Sequence, residues 1–99
     1  HIMRKKISEN RNIKVGDLVY HLLYGKEWVG VILETTDAFS ESDSGSTTHK
    51  ELALVRMIPG TKYENFFSKM VSKQNKITDS LGFVSMDWLF KREEEKKKK

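Results

Sequence analysis

The stretch that decides the fold is Lys14-Val15-Gly16-Asp17-Leu18-Val19-Tyr20-His21-Leu22-Leu23-Tyr24, continued by Gly25-Lys26-Glu27-Trp28-Val29-Gly30-Val31-Ile32-Leu33. Gly16-Asp17 is a turn signal opening a run of apolar, aromatic and β-branched residues, the composition of a strand. In an extended chain successive side chains point to opposite faces. Leu18, Tyr20, Leu22 and Tyr24 then share one face, and Val19, His21 and Leu23 the other. Gly25-Lys26 makes the next turn, and Trp28 to Thr35 reads as a second strand with Val29, Val31 and Leu33 opposite Gly30 and Ile32. A glycine inside such a run marks a bulge, a sharp bend or the close approach of another strand.

Working outward, residues 36–50 read TDAFSESDSGSTTHK, rich in Ser, Thr, Asp and Gly, which predicts a long mobile loop. Leu52 to Ile58 is a third strand, apolar on both faces except at Arg56, as a central strand would be, and Pro59-Gly60 ends it. The period then changes. Tyr63, Phe66, Phe67, Met70 and Val71 fall on one helical stripe, and Thr61 with Glu64 has the spacing of a capping box, so a short helix is expected over 62–73. A bent hairpin is the rival reading there. Ile77 to Leu81 is a connection, Gly82 to Ser85 a fourth strand, Met86 to Leu89 one 3₁₀ turn, and Phe90-Lys91-Arg92 a closing strand. Short strands separated by turns favour a small closed barrel, since closure removes exposed edges.

The chain has 99 residues and no cysteine, enough for one core and none for a disulfide or thiolate site. His1-Ile2-Met3 has the look of a cloning remnant, so His1 is set aside. The formal charge of +4 divides unevenly: residues 1–11 carry +3, residues 91–99 carry +3, and residues 12–90 carry −2. The expected organisation is a basic N-terminal tail over 1–11, a domain over 12–90 and a charged tail over 91–99. No run approaches the length of a membrane helix and no signal-peptide pattern opens the chain, which points to a soluble, cytoplasmic protein.

Lys14-Val15-Gly16-Asp17-Leu18-Val19-Tyr20, the turn at Gly25, the strand Gly30-Val31-Ile32-Leu33, the pair Leu54-Val55 and the terminal Val84-Ser85-x-x-Trp88-Leu89 together resemble SH3-like barrels of the KOW/Tudor type. Small tailed-bacteriophage proteins look closest. The RNA-polymerase-interacting domains of CarD-type regulators and transcription-repair coupling factors share a similar opening. The resemblance spans under half the chain and rests on residues that build a barrel, so it speaks to fold more than to function. It implies a mainly β protein, a five-stranded SH3-like barrel, phage-encoded and at work in the host cytoplasm. The chain departs from that pattern in the polar 36–50 loop and in the 61–81 insertion, which makes it a barrel with one short helical insertion.

Enzymatic chemistry finds little footing. His21 lies within a strand and reads as a packed or edge histidine, and His49 near Asp43 lacks the second histidine a metal site would want. Phosphate-binding glycine loops are also absent from the sequence. No catalytic residue, metal or cofactor is expected. The aromatic residues are the better candidates: Phe66, Phe67 and Trp88 are expected in the core. Tyr24 and Trp28, flanking Gly25-Lys26-Glu27, mark a recognition patch if exposed, with Tyr20 and Lys26 beside them. The expectation is a non-enzymatic binding module for a host or phage protein, with no membrane partner. The alternative is a nucleic-acid-binding barrel whose basic tails contact phosphates.

Overall fold

In a computed structural model, residues 11–41, 43–69 and 75–92 are described. Among these residues six antiparallel strands form one sheet: β1 (Leu18–His21), β2 (Gly25–Glu41), β3 (Thr47–Met57), β4 (Lys76–Thr78), β5 (Leu81–Ser85) and β6 (Leu89–Lys91). Their order is β4-β5-β3-β2-β1-β6. The chain is therefore mainly β, but the sheet has six strands rather than five and is not closed. The sixth is β4, which pairs with β5 and overlaps the start of the 77–81 stretch read as a connection. The open edges are handled by other means. Both edge strands are three residues long, and the Arg11 guanidinium donates to the Leu89 carbonyl at 2.8 Å on β6.

The opening turn behaves as its residues suggest. The Asp17 carboxylate accepts from the Lys14 N–H at 2.8 Å while the Asp17 N–H donates to the Lys14 carbonyl. Gly16 supplies the φ of +95° that this turn needs. The chain then enters β1, where Val19 and His21 face inward and Leu18 and Tyr20 outward. From β2 the inward residues are Trp28, Gly30 and Ile32, and from β3 Ala53, Val55 and Met57. Gly30 is a close-approach glycine, because a Cβ there would collide with Val55 Cγ1.

The segment expected to be a mobile loop is instead a hairpin. β2 and β3 stay paired through Thr36↔Leu52, Phe39↔His49 and Glu41↔Thr47. Polar, β-branched Thr side chains suit a ribbon solvated on both faces, and the His49 ring stacks on Phe39 at 4.9 Å. The described part of the 62–73 segment is not an α-helix either. It runs through turns into a 3₁₀ turn over Phe66–Lys69; residues 70–73 lie outside the described residues. The Thr61 hydroxyl bonds back to the Ile58 carbonyl and the Glu64 carboxylate to the Gly60 N–H, closing a turn rather than capping a helix. The Phe67 N–H goes to the Asp79 carbonyl instead of a residue four back. Phe67 thereby packs over Gly82, where a Cβ would come within 2.6 and 2.7 Å of its ring carbons.

A second 3₁₀ turn, Met86–Trp88, is capped by the Ser85 hydroxyl and delivers β6 to β1, as the sequence predicts.

Candidate binding surfaces

Tyr20, Tyr24, Lys26 and Trp28 separate into three environments. Trp28 has no exposed surface. It faces inward with Gly30 and Ile32, its ring 5.4 Å from those of both His21 and Phe66. It is core, so the expected Tyr24/Trp28 patch does not form. Its indole N–H has no hydrogen-bond partner among the described residues, a cost set against the area the ring buries.

Tyr24 belongs to an apolar surface. β1 ends at His21, and the turn Leu22–Tyr24 leads into Gly25 at φ +81°. His21 holds this turn twice: its carbonyl accepts from the Tyr24 N–H at 3.1 Å and its Nδ1 from the Leu23 N–H at 3.1 Å. A ring accepting at Nδ1 carries its proton on Nε2 when neutral. Burial favours that neutral form, lowering the His21 pKa from 6.5 to about 4. The ring lies parallel to Trp88 at 5.7 Å and edge-on to Tyr24 at 4.7 Å.

With His21 filling the inward side, the side chains of the turn are left outside. Leu22 is 53% exposed, Leu23 65%, Tyr24 41% and Trp88 39%. Trp88, expected in the core, is a surface residue because its 3₁₀ turn points Met86 inward and lays the indole against His21. The Leu22 N–H donates to the Trp88 carbonyl at 2.8 Å, clipping the two turns together. Beside them lies a groove of about 730 Å³ lined by Tyr24, Tyr63, Phe66 and Lys62 among others. Tyr24 reaches the rings of Tyr63 and Phe66 at 5.3 and 5.2 Å. Lys62 stands at the rim paired to Glu27 at 3.1 Å, and that carboxylate raises its pKa.

Tyr20 and Lys26 line a different depression, of about 450 Å³, with Arg11, Asn12, Phe90 and Lys91. Tyr20 and Phe90 are directly opposite on β1 and β6, their rings stacked at 5.8 Å. Arg11 lies 3.9 Å over the Phe90 ring and Lys26 5.9 Å from that of Tyr20. Arg92 donates to the Lys26 carbonyl at 2.6 Å. Arg11, Lys91 and Arg92, read as tail residues, thus belong to the folded body. Adding them to the −2 of residues 12–90 gives the span 11–92 a charge of +1.

Elsewhere, His49 meets Asp37 at 2.9 Å across the hairpin rather than Asp43. Among the described residues, no group of three metal-ligating side chains is present and no helix is long and apolar enough to cross a membrane. Compared with family models, curated proteins and solved structures, the chain matches none.

Sequence reasoning missed Leu22, Leu23 and Trp88 on the surface and Arg11 in the groove. The first had a readable signal. Leu22-Leu23-Tyr24 is apolar on both strand faces just before a glycine, so some of it must face out. Arg11 had none, since its carbonyl partners lie 75 to 78 residues away.

Proposed function

We propose that the protein is a non-enzymatic binding module that engages a protein partner through the Leu22–Tyr24 turn, Trp88 and the adjoining Tyr63/Phe66 groove. The observation carrying this reading is the clustering of four large apolar side chains, 39 to 65% exposed, on two clipped turns. Contiguous exposed apolar surface marks interaction sites, and aromatic anchors beside a cleft are where interface energy concentrates. The turn is also held in shape by His21, so little ordering entropy is lost on binding.

The fold is read as an opened SH3-like barrel of the KOW/Tudor type with β4 added at one edge. The order β6-β1-β2-β3-β5, with a 3₁₀ turn before the last strand, supports it. The resemblance to small phage barrels carries the further proposal that the protein is phage-encoded and works in the host cytoplasm.

Leu23→Asp tests the function. Leu23 is exposed, so the variant melts at the wild-type temperature. In paired pull-downs, a protein retained by the wild type is lost from the variant. Identical retention by both removes this surface from the reading.

A further inference from the structure

We infer that the Tyr20–Phe90 groove is a second site, for a single-stranded polynucleotide, distinct from the apolar turn. No residue lines both depressions. The floor of this one is a pair of partly buried rings on neighbouring strands, Phe90 covered by the Arg11 guanidinium, so a base of any identity stacks on Tyr20 or on the guanidinium plane. Its walls and rim are cationic: Arg11, Lys26 and Lys91 line it, and Arg92 is bonded to the backbone of Lys26. Asp17 stands beside it, 3.7 Å from Lys91.

Two features separate this from an ordinary solvated basic patch. First, Arg11 is fixed in place. Its Nη1 donates to the carbonyls of Met86 at 2.9 Å, Asp87 at 3.2 Å and Leu89 at 2.8 Å, which anchors the cation without neutralising it. Arg92 is held in the same way at 2.6 Å from the Lys26 carbonyl. Pre-positioned guanidinium groups lose little freedom when a phosphate arrives. Second, charge is segregated along the chain. The hairpin span 34–51 holds Glu34, Asp37, Glu41, Asp43 and Glu51 against Lys50, whereas Arg11, Lys26 and Lys91 line the groove. A flat duplex offers this floor no free base face, so an unpaired strand is the occupant that uses both the rings and the cations.

The test uses the full chain and fluorescent 15-nucleotide dT and rU strands, with a 15-bp duplex as comparison. The single strands bind more tightly than the duplex. Contacts to three phosphates make their affinity fall roughly 20-fold between 50 and 200 mM salt. Tyr20→Leu, which keeps an apolar side chain on the face, weakens binding roughly fivefold or more. Lys26→Glu weakens it and flattens the salt dependence, while Leu23→Asp leaves it unchanged. Duplex binding equal to or tighter than single-strand binding would overturn the assignment. So would wild-type affinity in both Tyr20→Leu and Lys26→Glu, which would move binding to the lysine-rich ends, or displacement of the strands by an equal concentration of poly-glutamate.

Discussion

The apolar turn and the basic groove are made from neighbouring residues of one short segment, yet they rest on different supports. Beneath Leu22–Tyr24 lie the buried rings of His21 and Trp28, with Phe66 and Trp88 packed against His21. Tyr20 and Phe90 stand on the outer face of β1 and β6, whose inner face carries Val19 and Leu89, and the groove around them is shaped further by arginine-to-carbonyl hydrogen bonds. A surface built on the core shares the stability of the core. A surface built on a few polar ties can be dismantled while the fold stands.

The most severe way to challenge that contrast is Trp28→Ala. Emptying a fully buried indole site costs about 3–5 kcal/mol, a large part of the ~5–15 kcal/mol that holds such a domain. Urea unfolding should show the loss, and both surfaces should go with it; a cost below ~1 kcal/mol would mean that the core does not rest on Trp28.

Gly82→Ala is milder and more selective. Its Cβ would press on the Phe67 ring and on the Asn75 carbonyl oxygen, 2.5 Å away, costing about 1–3 kcal/mol. Because Phe66 is the chain neighbour of Phe67 and packs edge-on against it at 5.1 Å, the groove beside Tyr24 should be disturbed while the Tyr20–Phe90 groove is not. Amide chemical shifts of the two regions distinguish them.

Arg11→Ala is the converse cut. It leaves part-buried carbonyls of the Met86–Leu89 turn without their charged donor, for about 1–2 kcal/mol, and should change the environment of Phe90 most, with a smaller change at Trp88 and Leu22, which that turn carries and clips.

The pH response is the finest test, with no effect at pH 7. His21 has a folded pKa of about 4 against 6.5 when unfolded, so between those values the unfolded chain binds the extra proton. Stability is complete above pH 6.5 and declines as pH falls toward 4. Protonation at Nδ1 would also end its acceptance of the Leu23 N–H. His21→Gln, which does not titrate, should show a smaller drop in Tm from pH 7 to pH 4.5 than the wild type. Equal drops would mean that His21 is not held neutral by the fold.

The sequence was most legible where side-chain alternation coincides with burial. The sharing of one face by Val19 and His21 and by Gly30 and Ile32, and the 3₁₀ turn before β6, follow from period two and from turn residues; that this face turns inward, Trp28 included, is what the structure adds. It was least legible in the outer half of the β2–β3 hairpin. There both faces are wet, so a strand has no apolar period to show, and Thr36 to Lys50 looks like a loop by polarity. The 62–73 segment misled for the opposite reason: its helical stripe is real, but Phe67 spends its N–H on the Asp79 carbonyl, a partner set by tertiary packing. The candidate sites were legible in part. Tyr24, Tyr20 and Lys26 were recognisable as aromatic and basic residues near a turn, but alternation already places Trp28 with Gly30 and Ile32, away from them.

Photo-crosslinking most directly tests the claim that the Leu22–Tyr24 surface is where a protein partner docks. A photoreactive phenylalanine analogue is placed at Leu23 in one sample and at Phe39, 69% exposed on the far hairpin, in another. Irradiation in cell lysate should give a discrete protein adduct from position 23 and none from position 39. An adduct from position 39 alone, or the same adduct from both, would contradict it.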